Sequence, residues 1–172
     1  MIKDHYYLIV CGVAGSGKTS IGKILAEKLG IDFIEGDEFH SQANINKMQN
    51  GIALNDADRL PWLNILKRKI SDKINEQQGF IISCSALKAS YRDILRTAGE
   101  VRFLFLKADE NEIAGRLKNR DGHFMPSSLL HSQIEALEIP LTKEKDILII
   151  DASKSKEDII KHIITEFNIE KK

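Results

Sequence analysis

Two rhythms of apolar residues alternate along this chain. Short apolar runs rich in β-prone residues occur at Tyr6–Cys11, Asp32–Glu35, Phe80–Cys84, Val101–Leu106 and Asp146–Ile150. Between them, apolar residues recur every three or four positions, the spacing of one helix face. After the first run these are Ile21, Ile24, Leu25 and Leu29, with Glu27 and Lys28 left for water and Gly30 suited to the C-terminal cap. From Asp56 to about Lys73 they are Leu60, Leu63, Leu66 and Ile70; Asn55 can cap the start, and Pro61 lies in the early turns where its missing N–H does least harm. Glu110–Asn119 and Lys156–Phe167 supply later helices, the last with Ile159, Ile160, Ile163, Ile164 and Phe167 on one side. Apolar strands alternating with amphipathic helices predict an α/β fold, a parallel sheet between helices. One stretch, Arg120 to about Leu141, breaks the rhythm. It holds Gly122, Pro126 and Pro140, exceeds a usual loop, and predicts a lid.

No repeat, low-complexity tract or linker interrupts the 172 residues, so the chain reads as one domain with one core and a frayed end at Glu170-Lys171-Lys172. Lys+Arg and Asp+Glu both number 25, and a net charge of zero supplies no bulk field toward nucleic acid or an anionic membrane. No apolar run approaches the roughly 20 residues of a membrane span. The first strand begins almost at once, which leaves no room for a signal peptide and predicts a cytoplasmic protein. Cys11 and Cys84 are then expected as reduced, buried, small hydrophobes; no Cys/His cluster has zinc spacing.

The chemistry concentrates between the first strand and the first helix. Gly12-Val13-Ala14-Gly15-Ser16-Gly17-Lys18-Thr19 matches the phosphate-binding pattern G-x-x-x-x-G-K-[ST] at every fixed position. Glycines let successive N–H groups converge on phosphate oxygens, and the following helix directs its positive end at the same anion. Lys18 can reach the β- and γ-phosphates of ATP, the Thr19 hydroxyl can ligate Mg²⁺, and Ser20, next in the chain, is expected with them at the ATP site. In open α/β sheets ligands collect beyond the carboxyl ends of the strands. There, Asp37 is placed to accept the proton of an acceptor hydroxyl, and Glu35 to assist the Mg²⁺ shell through water. His40 is as readily a capping residue as a ligand. Arg59 is either an intrahelical ion-pair partner of Asp56 and Asp58 or a clamp for a substrate carboxylate. Trp62 needs no role beyond core filler. Ser85 can donate to a polyol; Lys88 and Arg92, four apart, form either a solvated face or a basic helix start aimed at an anionic substrate. Arg116 and Arg120, again four apart, lead into the lid, where arginines can neutralise the transferring phosphoryl group. His123-Phe124-Met125-Pro126 would be an odd exposed apolar patch unless it docks on closure.

Together these segments resemble the small P-loop gluconate kinases of the thermoresistant type, relatives of shikimate and adenylate kinases. The resemblance is carried by Gly12–Thr19, Glu35-Gly36-Asp37 with His40, Ala43-Asn44 through Lys47-Met48, Gly51–Asp56 with Asp58-Arg59, and Pro61-Trp62-Leu63. It continues through Cys84–Lys88, Tyr91-Arg92-Asp93, Gly122–Pro126 and Leu130 to Glu138, nearly end to end. It implies a five-stranded parallel sheet, ATP-dependent phosphorylation of the 6-hydroxyl of D-gluconate, and a homodimer. By position it implies Lys18 and Thr19 on phosphate and Mg²⁺, Asp37 as base, and Arg116 and Arg120 as lid arginines. His40, Arg59, Ser85, Lys88, Arg92 and Gln133 become candidates to line the gluconate pocket. Ala14 replaces a frequent Ser, and Ile139-Pro140-Leu141-Thr142 has one proline where the family usually has two, which bears on lid geometry. Two other readings stay open: a kinase for another acceptor (shikimate, another sugar acid or a nucleotide), and a nucleotide-gated switch. Against a guanine switch, Asn46-Lys47-Met48-Gln49 lacks the Asp of Asn-Lys-x-Asp.

Overall fold

The computed structural model describes residues 5–119 and 126–169. Arg120, the Gly122-His123-Phe124-Met125 part of the lid and the three C-terminal residues lie outside them.

All five predicted strands form: β1 (Tyr7–Cys11), β2 (Asp32–Glu35), β3 (Phe80–Ser83), β4 (Arg102–Lys107) and β5 (Ile147–Asp151). They make one parallel sheet in the order β2-β3-β1-β4-β5. Central β1 sets Ile9 beside Ile82 of β3 and Phe103 of β4. Because side chains alternate along a strand, each central strand feeds two cores. Ile9 and Cys11, Phe80 and Ile82, and Phe103 and Phe105 pack on one face beneath helices α3 (Asp56–Asn75) and α4 (Ala89–Arg96). Leu8 and Val10, Ile81, and Leu104 and Leu106 pack on the other face beneath α1 (Lys18–Leu29) and α7 (Lys156–Glu166). This two-sided burial explains why the strands read as unbroken apolar runs. Cys11 and Cys84 are free and buried, as expected.

Helix ends follow the local chemistry. Gly30, at φ 64°, caps α1 by donating to Ala26 and Glu27 carbonyls. Asn55 caps α3 in a reciprocal box with Asp58. Leu60 departs from expectation: it is 48 % exposed, because the buried face of α3 is Arg59, Trp62, Leu63, Leu66 and Ile70. At about 100° per residue, Leu60 points roughly a quarter-turn away from that stripe. From residue 126 onward the predicted lid stretch is also more than a loop. It contains α6 (Ser127–Ala136), which follows α5 (Glu110–Lys118) in the chain. Leu130 of α6 joins Ile113 of α5, Val13 and Leu87 in a third small core. The pattern did not reveal the short α2 (Gln42–Gln49) or the 3-10 turn Gly36–Phe39 before it.

Candidate active site at the carboxyl ends of the strands

An open cleft of about 620 Å³ lies over the carboxyl ends of β1, β2 and β3. Its floor is the glycine loop, which turns from β1 into α1 through Gly17 at φ 101°, a left-handed conformation that suits glycine. The first N–H groups of α1 therefore have no intrahelical partner and face the loop's concavity. Ser16 is buried, and its Oγ is without a hydrogen-bond partner among the described residues. An orphaned hydroxyl at a helix N-terminus fits a polyphosphate that supplies acceptors. Lys18 folds back so that Nζ donates to the Val13 carbonyl at 2.9 Å. Burial pushes its pKa down, against the opposing pull of Asp37 and Glu35. Gly12 anchors the loop by donating to the Ser85 carbonyl at 3.2 Å.

Glu35 ends β2 and ties three segments together. Thr19 Oγ1 donates to its Oε2 at 2.6 Å, and Ser83 Oγ to its Oε1 at 2.5 Å. Gly36 must follow: a Cβ there would stand 2.0 Å from the Ser83 carbonyl oxygen, so β2 and β3 approach this closely only at glycine. The 3-10 turn then projects Asp37 into the cleft with 66 % of its side-chain surface accessible. His40 closes that turn, its side chain only 6 % exposed. It stacks on Trp62, with centroids 4.1 Å apart at 16°, and its Nε2 lies 3.9 Å from Asp37 Oδ1. Burial lowers its pKa and the Asp37 charge partly offsets this. Trp62 is more than core filler: it lines the cleft, and its indole N–H donates to the Gly36 carbonyl at 2.8 Å.

The intrahelical reading of Arg59 does not hold. Asp56 pairs with Lys88 at 2.9 Å and bonds the Tyr91 hydroxyl, while Asp58 takes Lys47 at 2.8 Å. Arg59 is left 8 % exposed on the cleft wall, donating Nη1 to the Tyr91 hydroxyl at 3.2 Å, with no ion pair among the described residues.

Of the candidates, Ala14, Gly15, Gly17, Lys18, Thr19, Glu35, Asp37, His40, Arg59, Ser85 and Gln133 border this one cleft. Gln133 comes from α6, and its Oε1 accepts the Ala14 N–H at 2.8 Å, so it touches the phosphate loop itself. Gly12, Val13 and Ser16 shape the loop from beneath. Arg92 is a correction. It is 0 % exposed, its Nε and Nη2 bond Glu144 at 2.9 and 2.8 Å, and its Nη1 donates to the Ala86 and Leu87 carbonyls. The shared helical face of Lys88 and Arg92 does not exist, because Lys88 is the N-cap of α4 and Arg92 turns inward. Lys88 pairs with Asp56 outside the cleft wall. Arg116 also lies outside it. Its Nη1 reaches the Ser16 carbonyl at 3.4 Å, and its Nη2 bonds Glu112 and the Ala152 carbonyl at 2.8 and 2.5 Å. Ser20 accepts from Lys156 at 3.1 Å, on the side facing α7. Sequence reasoning passed over Ser83 and Asn44 as site residues; only their places, one ending β3 and the other four residues beyond His40, could have flagged them.

Comparison with known proteins agrees with this geometry. A sequence model of the shikimate kinase family matches residues 14–168. The thermosensitive gluconokinase of Escherichia coli K12 is 49 % identical over 144 residues, 83 % of this chain and 77 % of that protein. The crystal structure of an unliganded sugar kinase from Janibacter sp. superposes with a TM-score of 0.90 at 42 % identity, covering 96 % of this chain and 95 % of the other. That of a gluconokinase from Sinorhizobium meliloti does so at 0.85 and 41 %, covering 95 % and 91 %. With its five-stranded parallel sheet, its phosphate loop and this extent of similarity, the chain belongs to the gluconokinase family of P-loop kinases.

Proposed function

We infer that this protein transfers the γ-phosphoryl group of ATP to the 6-hydroxyl of D-gluconate, giving 6-phospho-D-gluconate and ADP. The observation that carries the choice of acceptor is Arg59, a nearly buried guanidinium on the cleft wall with no carboxylate of its own among the described residues. A sugar acid brings that carboxylate, and a planar fork matches it bidentately. Ser85 and Gln133 line the same cleft and suit the hydroxyls of the chain.

The glycine loop binds the phosphates with the α1 N-terminus, and Lys18 leaves the Val13 carbonyl to follow the β- and γ-oxygens. Thr19 and Glu35 meet at 2.6 Å and present hard oxygen donors, the set Mg²⁺ prefers. Mg²⁺ bound there would neutralise charge on the β- and γ-phosphates. Asp37 accepts the proton of the 6-hydroxyl as that oxygen bonds to the γ-phosphorus; the bond from phosphorus to the β–γ bridging oxygen breaks, and its electron pair leaves on ADP. Arg116, pinned beside the loop at Ser16 and Ala152, positions the nucleotide end, and Arg120 supplies the lid cation. Ser20 and Lys88 hold the loop's helix and the Asp56 rim through Lys156 and Asp56. The reading extends to a homodimer working in the cytoplasm, where ATP is the donor; light scattering in solution tests the dimer.

The deciding experiment is a coupled ADP-release assay with gluconate, shikimate, AMP and several other sugar acids. Gluconate-dependent ADP release is expected, and its absence overturns the assignment. Asp37→Asn is expected to bind ATP normally and lose most gluconate turnover; wild-type-like turnover would sink Asp37 as the base.

A further inference from the structure

Asn44 is one of the few buried polar side chains among the described residues, 5 % exposed, yet the phosphoryl transfer just described makes no use of it. Its place is set by α2: Ser41 caps that helix by accepting the Asn44 N–H at 3.1 Å, which turns the carboxamide toward α3 and His40. There Nδ2 makes two contacts, to the Asp58 main-chain carbonyl at 2.9 Å and to His40 Nδ1 at 3.3 Å.

The first contact orients the amide. A carbonyl oxygen can only accept, so the group facing Asp58 must be the NH₂; a flipped amide would set two acceptors against each other. The second hydrogen of that NH₂ then points at His40 Nδ1, which must present its lone pair. A neutral imidazole carries one N–H, so the proton resides on Nε2. Burial favours the neutral ring. Stacking on Trp62 fixes the ring plane, while the His40 main-chain N–H, donating to the Asp37 carbonyl at 3.3 Å, holds the residue at the end of the turn. The Nε2 edge faces Asp37 at 3.9 Å, beyond direct hydrogen-bond range, on the wall of the cleft.

We propose that Asn44 is a positioning residue that locks His40 as the Nε2–H tautomer, so that His40 and Asp37 together read the acceptor hydroxyl as a donor–acceptor pair. A hydroxyl has one proton and two lone pairs. Asp37 takes the proton, His40 Nε2–H donates to one lone pair, and the other is left aimed at phosphorus. The opposite tautomer would turn an imidazole lone pair toward both the carboxylate and the hydroxyl oxygen, repelling each. This inference rests on the reading of Asp37 as the base, and it adds a requirement for an acceptor that offers an OH group there.

Long-range ¹H–¹⁵N spectra of the ¹⁵N-histidine-labelled protein, with His40 assigned by its loss in His40→Gln, report the tautomer directly. The expected pattern is a protonated Nε2 and an unprotonated Nδ1. A protonated Nδ1 or rapid tautomer averaging in the wild-type protein overturns the proposal, whatever the acceptor proves to be. Asn44→Asp, which accepts where Asn donates, should move the proton to Nδ1 and lower kcat with gluconate about 10²-fold, the order lost when one preorganised hydrogen-bond donor is removed from an active site. KM for ATP should be unchanged. Should the buried aspartate impair folding, Asn44→Ala gives the second reading: averaged His40 nitrogens and a smaller fall in kcat at an unchanged KM for ATP. Wild-type kcat in a folded Asn44 variant whose His40 tautomer has changed refutes the proposal. Failure of the Asp37 assignment shows separately, as gluconate turnover by Asp37→Asn.

Discussion

Removing Arg92 separates a structural cation from a substrate-binding one. Its guanidinium is excluded from solvent and makes bonds of 2.9 and 2.8 Å to Glu144 and of 3.0 and 3.3 Å to the Ala86 and Leu87 carbonyls. In Arg92→Ala the two carbonyls lose their donor and Glu144 loses one of its two arginines. Deleting one member of a buried ion pair costs about 3–5 kcal/mol because the other charge stays buried. Here Glu144 keeps Arg96, at 2.8 Å, so the lower end applies, about 3 kcal/mol. At about 2–4 °C per kcal/mol for a chain of this size, the melting temperature should fall by about 6–12 °C. Differential scanning calorimetry beside gluconate kinetics reads both quantities. The expected result is a large loss of stability with KM for gluconate unchanged in the folded fraction. An unchanged melting temperature with a raised KM for gluconate would refute the structural reading and return Arg92 to the substrate pocket.

Three further outcomes follow from the same structure. The Arg92 hydrogen bond, joined by Arg96, holds the Glu144 carboxyl down from 4.5 to about 2; stability from this lowered pKa is complete above pH 4.5 and lost as pH falls through about 2, so Glu144→Gln should flatten the acid limb of a stability–pH curve measured by urea titration, and an unaltered limb would count against the pair. Gly36→Ala places a methyl 2.0 Å from the Ser83 oxygen and forces β2 from β3; overpacking of this kind costs about 1–3 kcal/mol, and gluconate turnover should fall with it, so wild-type kinetics would show the close approach to be dispensable. Burial pushes the Cys11 thiol up to about 12 and raises Cys84 as well, so a thiol-specific disulfide reagent should label neither in the native protein at neutral pH and both in guanidinium; fast native labelling contradicts the packing beneath the loop.

What the sequence made legible, and what it did not, has a physical basis. Strands buried on both faces announce themselves as apolar runs, and the glycine loop is local, eight consecutive residues whose geometry depends on one another and on the helix they start. Asp37 stands out as a candidate from position alone, just past a strand end. Side chains whose role depends on a distant partner were misplaced. The spacing of Lys88 and Arg92 promised a shared face, but a helix that starts at Ala89 makes Lys88 its cap and turns Arg92 inward toward Glu144, 52 residues on. Arg59 could be assigned to neither reading until Asp56 and Asp58 were seen bound to Lys88 and Lys47. Asn44 was hidden for the same reason: nothing along the chain says that its amide meets both the Asp58 carbonyl and an imidazole. In this molecule local pattern locates the phosphate donor, while the acceptor's environment is set by contacts between α2, α3 and the turn after β2. These arise only when the sheet brings them together.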